Sequence, residues 1–141
     1  MLATLTVVGL AVLVVLTWLF LRARQRDVIE ELLAKKKASS KIATRAEYVE
    51  GIERIPVALS LAADTIVYQN RDMDASFELG SIDEIEYDDE LATGQNVDSG
   101  CRALRLRAHG RAIEFILATP DCQHWMAALP PHRTGETAHA V

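Results

Sequence analysis

Residues 103–117, ALRLRAHGRAIEFIL, decide how the larger part of this 141-residue chain folds. Apolar and polar residues alternate at a period of two on both sides of His109 and Gly110, and a two-residue turn of that kind suits the positive φ angles of a tight hairpin. In that register Leu106 stands opposite Ile113 and Leu104 opposite Phe115 on one face, while Arg105 meets Glu114 on the other. A slip of one residue would carry the charges into the core, so the alternation specifies register and core together.

Downstream of the hairpin, Thr119-Pro120-Asp121 reads as a helix start, with a capping hydroxyl at Thr119, a proline at the first position and an acid near the positive dipole end. The helix is expected to end near Leu129, ahead of Pro130. Its stripe Cys122, Trp125, Met126 and Leu129 then faces the sheet. Residues 131–141 carry no pattern and are expected to form a disordered tail.

Upstream, the same alternation with recurring turn residues predicts strands at 48–52, 55–61, 65–69, 76–79 and 82–87, making seven with the hairpin. A second hairpin around Ala63-Asp64 pairs Leu59 with Tyr68 and Leu61 with Ile66, without a glycine in its turn. The polar run 92–100 is expected to be a flexible connection.

The chain opens with residues 2–21, LATLTVVGLAVLVVLTWLFL, which hold no charge. About twenty helical residues span the roughly 30 Å of hydrocarbon in a bilayer, so this run is expected to be a transmembrane helix. A cleaved signal would need positive charge before a shorter apolar core and a small-residue exit site, and a soluble core helix would keep a polar face. Neither feature is present in the run.

Residues 22–45 read as a basic juxtamembrane stalk and linker, with eight positive side chains against three negative. Arg22, Arg24, Arg26, Lys35, Lys36 and Lys37 are its membrane-surface candidates, facing an anionic leaflet. Positive flanks stay on the cytoplasmic side, so the expected location is the cell's inner (plasma) membrane, single-pass, with the N-terminus outside and residues 46–130 in the cytoplasm. The helical pattern continues through Val28, Ile29, Leu32 and Leu33 to about Lys37. That stripe can face the domain, a second copy or the headgroup layer.

Residues 46–141 are acidic, with seven positive side chains against seventeen negative, which argues against nucleic-acid binding. Cys101 and Cys122 fall on the reducing side, so no disulfide is expected. Cys122 and His124 point about 200° apart on a helix and cannot act as nucleophile and base. The four histidines and two cysteines match no zinc spacing, and no phosphate-cradling glycine motif occurs. No cofactor, metal or small-molecule substrate is implied, and an enzyme is not expected.

Val57-Ala58-Leu59-Ser60-Leu61 with Asp64 and Ile66-Val67-Tyr68, then Phe77-Glu78-Leu79 with Ile82, lead to a strand, turn, strand and helix ending in Trp125. Over residues 47–129 this order resembles the pleckstrin-homology-like fold, in particular its bacterial and GRAM-like branches. The resemblance implies an α+β domain: a small antiparallel seven-stranded bent barrel capped by a C-terminal helix, binding lipid headgroups, peptides or protein surfaces. Loops 51–54, 62–64 and 71–75 lack the basic cluster of the family's phosphoinositide binders, which favours a protein or peptide ligand.

The run Asp83 to Glu90 supplies the candidate docking face. Alternation puts Glu84, Glu86 and Asp88 on one side, with Ile85 and Tyr87 inward. Such a row can be a solvated strand face, a patch for a basic protein partner or a cation site, though the calcium-loop spacing is missing. The expected function is a non-catalytic membrane-anchored binding or scaffold module that recruits a cytoplasmic protein. The alternative is a structural subunit packing through its transmembrane helix into a larger membrane complex.

Overall fold

The computed structural model describes residues 1–130; the tail expected at 131–141 lies outside the described residues. Helix α1 (Leu2–Ser39) runs 38 residues without interruption, roughly 57 Å at 1.5 Å per residue. It is long and apolar enough to cross a membrane, and no part of its apolar window is buried against the rest of the chain. Ser40 and Lys41 alone separate it from β1 (Ile42–Glu50).

The chain continues through β2 (Glu53–Ala62), β3 (Thr65–Gln69), β4 (Asp74–Glu78), a turn of 3-10 helix (Leu79–Ser81), β5 (Ile82–Asp88), β6 (Cys101–Ala108), β7 (Arg111–Ala118) and α2 (Thr119–Ala128). These strands form one antiparallel sheet in the order β4-β3-β2-β1-β7-β6-β5. The fold is α+β, with an apolar leading helix, a seven-stranded antiparallel sheet and a closing helix. β1 is its seam, and it meets β7 only from Glu47↔Ile116 to Val49↔Glu114. The sheet curls tightly about this seam, because the rings of Tyr68 in β3 and Phe115 in β7 lie 5.2 Å apart with two strands between them.

Both hairpins adopt the register that alternation predicts. Leu106 pairs with Ile113, Arg105 with Glu114 and Leu104 with Phe115, and His109 and Gly110 take φ of 51° and 74°. Leu59 pairs with Tyr68 and Leu61 with Ile66, and Ala63, lacking a glycine's freedom, still adopts φ 52°. The inner face buries Val57, Leu59, Leu61, Ile66, Leu104, Leu106, Phe115 and Leu117 around Trp125, whose Nε1–H donates to Thr44 Oγ1 at 2.8 Å.

β1 begins at Ile42, six residues before the expected start, so the last four residues of the expected stalk and linker, 42–45, are strand. The reason lies in what covers it. On β2 the inward Val57, Leu59 and Leu61 are buried, and so are the outward Ala58 and Ser60, at 1% and 0% exposure. α1 packs on the outer face of β1 and β2, turning Val28, Ile29, Leu32 and Leu33 inward, with Ile29 at 2% exposure. Ala43, Ala58 and Ser60 are small where a helix must approach closely, and small residues give no alternating signal. Of the three possible partners for the α1 stripe, the sheet is the one it meets.

Three further expectations are corrected. The N-cap of α2 is Ala118 with no side-chain hydrogen bond, so Thr119 is a first-turn residue rather than a cap. Met126 is 47% exposed, because this short helix touches the core through Cys122, Trp125 and Leu129 only. Residues 92–100, expected as a flexible connection, fold back on the outer face. Leu91 N–H donates to Gln95 O at 2.8 Å and Val97 N–H to Asp89 O at 2.9 Å. Leu91 packs with Ala103 and Ile116 into a second small core beside Val49 and Val97.

Candidate functional site

Among the surface features whose polar groups a partner can reach, the first is the outer face of β5, β6 and β7. Glu84, Glu86 and Asp88 do share that face, with Ile85 and Tyr87 packed inward. Glu84 and Glu86 stand opposite Arg107 and Arg105, and Asp88, opposite Ala103, lies within reach of Arg105 as well. Arg105 Nη1 donates to Glu86 Oε2 at 2.8 Å and stands 3.7 Å from Asp88 Oδ2, and Arg107 Nε lies 3.3 Å from Glu84 Oε2.

Arg105 is the centre of this layer. Its Nε and Nη2 donate to Glu114 Oε2 at 3.3 and 3.2 Å, and Nη2 also donates to Glu90 O at 3.1 Å. Glu114 in turn accepts from Ala92 N–H at 3.1 Å, pinning the folded-back loop to the sheet. The Arg105 hydrogen bond holds the Glu86 carboxyl below its ordinary range. Burial opposes the charge on Arg105, but Glu86 and Glu114 outweigh it and raise its pKa. Under the layer, burial pushes the Tyr87 phenol up to about 12, with the nearby Cys122 sulfur adding to it. The acids therefore fasten β5 to β6 and secure the loop, work that explains their presence without a ligand.

The second feature lies at the free edge of the sheet. β5 is outermost, with no strand on its far side among the described residues. A hollow of about 290 Å³ runs beside its first half, bordered by Asp64, Leu79, Asp83, Glu84, Ile85 and Pro130. Asp64 and Asp83 are exposed. The register shifts between Ile82 and Glu84, so Asp83 sits in an irregularity of the pairing.

The third feature is the pair of clefts flanking α1. On one side Leu21, Arg24, Gln25 and Val28 face Ile55, Pro56, Asn70, Arg71 and Asp72 across about 310 Å³. On the other, Arg22 and Arg26 face a mixed wall that includes Arg45, Glu47, Asp98 and Asp121. Arg22 also lies 5.1 Å above the Trp18 ring. Measured along the helix, Arg22, Arg24 and Arg26 fall within about 8 Å of Leu21, whereas Lys35, Lys36 and Lys37 lie about 21–24 Å beyond it. Lys35 pairs with Glu31 at 2.9 Å.

A solved structure described as the C-terminal domain of an unknown protein from Leishmania infantum is similar, with a TM-score of 0.51 and 16% sequence identity. The match covers 77% of this chain and 94% of that one. At that identity the likeness is one of fold. No protein-family model matches the chain, and no curated protein matches it.

The structure thus brings Glu84, Glu86 and Asp88 together, but Glu86 and Asp88 are held by Arg105, and Glu84, which borders the hollow beside β5, is paired with Arg107. Of the six basic candidates, Arg24 alone lines the cleft that it shares with Arg71. Sequence reasoning missed Arg71, Asp64 and Asp83, which become neighbours of a site only through the turns that carry them. Cys122 is buried in the core and His124 is exposed. Among the described residues, no cluster of three or more His, Cys, Asp or Glu side chains is placed to hold a metal.

Proposed function

We propose that the chain is a non-catalytic, single-pass membrane-anchored module of pleckstrin-homology-like fold, which holds a cytoplasmic protein at the membrane by an extended basic segment laid along β5. Residues 2–21 are the anchor, and the Arg-rich flank keeps the domain on the cytoplasmic side. The curled seven-stranded sheet, its closing helix and the buried Trp125 support the family reading.

The observation that carries the proposal is the free edge of β5 beside a hollow bordered by Asp64, Asp83 and Glu84. An extended peptide gains main-chain hydrogen bonds from such an edge, and the carboxylates select Lys or Arg over acidic segments. Photo-crosslinking from position 80, which is exposed and lines the hollow, tests it in intact cells. An adduct with the partner is expected in the native protein and is expected to vanish in Asp64→Lys with Asp83→Lys, both exposed positions that can change without unfolding the domain. An unchanged adduct in the reversed variant would sink the docking surface. Recovery of the chain in the supernatant after alkaline carbonate extraction would remove the anchor itself.

A further inference from the structure

We propose that the cleft between α1 and the turn joining β3 to β4 binds the headgroup of an anionic phospholipid from the leaflet that α1 enters; this rests on the membrane-anchored reading above.

Position is the first argument. Leu21, Arg24, Gln25 and Val28 follow one another at i, i+3, i+4 and i+7, so one face of α1 forms a whole wall of the cleft. Leu21 is the last residue of the uncharged run, and Val28 lies about 10 Å further along the axis. A headgroup layer is roughly 5–8 Å deep on each side of the hydrocarbon. The cleft therefore occupies the depth at which lipid phosphates sit.

Charge is the second. Arg24 and Arg71 stand on opposite walls, and neither makes an ion pair among the described residues, although Asp72 is in the same lining. On the domain, Arg54, Arg102, Arg105 and Arg107 each have a carboxylate within 3.5 Å. Two guanidinium groups that make no ion pair among the described residues and line one cavity from different walls match a phosphate, which accepts paired N–H donors from each.

The third argument is that the turn is set in advance. Asn70 Oδ1 accepts from Asp72 N–H at 2.8 Å, Asn70 N–H donates to Met73 O at 2.9 Å, and Asn70 Nδ2 donates to Pro56 O at 3.3 Å. These bonds fix the backbone on both sides of Arg71. Between the charges, Val28, Ile55 and Pro56 give an apolar floor suited to glycerol and the first acyl carbons, which a free phosphate ion would leave uncovered.

The test uses the full chain reconstituted in vesicles of phosphatidylcholine with one-tenth phosphatidylglycerol, then extracted gently and analysed for co-purifying lipid. The native protein is expected to raise the ratio of phosphatidylglycerol to phosphatidylcholine on the order of tenfold above that of the bulk vesicle. Arg24→Gln with Arg71→Gln is expected to return the ratio to bulk. Arg22→Gln with Arg26→Gln, which removes the same charge from the other side of the helix, is expected to keep most of the enrichment. Bulk proportions in the native protein, or equal loss in both double variants, would overturn the site in favour of diffuse attraction. Flotation with pure phosphatidylcholine vesicles reads the anchor separately. A chain that floats without enrichment loses the lipid site alone, and a chain that does not float loses both.

Discussion

Replacing Arg105 with methionine removes the cation that the outer charged layer is built around, and the structure sets the size of the effect. The Arg105 and Glu114 side chains are each 9% exposed, whereas Glu86 is 27% exposed and can turn to solvent. Removing one partner of a buried pair costs about 3–5 kcal/mol, and the Glu86 contact adds little because water screens it. A loss of about 3 kcal/mol lowers the melting temperature of a domain this size on the order of 12–24 °C. Glu114→Gln sharpens the test, since its amide oxygen still accepts from Ala92 N–H while the orphaned charge disappears. That substitution destabilises the native protein but stabilises the Arg105→Met variant, a reversal of sign in a double-mutant cycle. Urea unfolding of the full chain in detergent, in a Trp18→Phe background so that Trp125 alone reports, measures all four corners. A cost below about 1 kcal/mol for Arg105→Met, or a Glu114→Gln effect of the same sign in both backgrounds, would refute the reasoning.

Four other outcomes are expected. Ile29→Ala opens a cavity under α1 worth about 2–4 kcal/mol of docking, read as faster amide exchange in residues 24–39 with the strands unchanged. Tyr87→Phe stabilises the domain by about 1 kcal/mol at neutral pH, because the buried hydroxyl has no partner among the described residues. It also removes an alkaline limb: with Tyr87 raised to about 12 from 10.0, the unfolded chain sheds this proton first, and native stability falls as pH climbs through that interval. Glu86 has the opposite sign, since its lowered pKa contributes stability that is complete above pH 4.5 and is lost as pH falls through the folded value. Glu86→Gln therefore flattens the acid limb of a melting-temperature profile. Thr44→Val orphans the Trp125 indole N–H and costs about 1–3 kcal/mol in urea unfolding.

The β6–β7 hairpin was legible because Leu104, Leu106, Ile113 and Phe115 face the core while Arg105 and Glu114 pair on the other side; the alternation fails at Ile116, which packs outward with Leu91 and Ala103 under the loop. β1 and the outer face of β2 were not legible, because Ala43, Ala58 and Ser60 are buried under a helix and bury as small residues. A covered face erases the alternation that marks a strand. Residues 92–100 misled for a related reason: Leu91 and Val97 are two isolated apolar residues in a polar run, too few to set a period yet enough to close a second core. At the candidate sites, alternation placed Glu84, Glu86 and Asp88 on their face but could not supply Arg105 and Arg107, which reach them only through the β5–β6 register. The cleft holding Arg24 and Arg71 was beyond reach, since it depends on how α1 lies across the sheet.

The joint at Ser40 and Lys41 leaves no slack between rod and sheet, and the sheet is strapped to the same rod by Ile29. With α1 as anchor, any lean of the helix swings the whole head through the same angle. Thinner hydrocarbon makes a long apolar helix lean and thicker hydrocarbon lets it stand. The free edge of β5 would then rise or dip relative to the lipid with the thickness of the bilayer, so that, on the docking reading proposed above, the local composition of the membrane would set which segments can reach it.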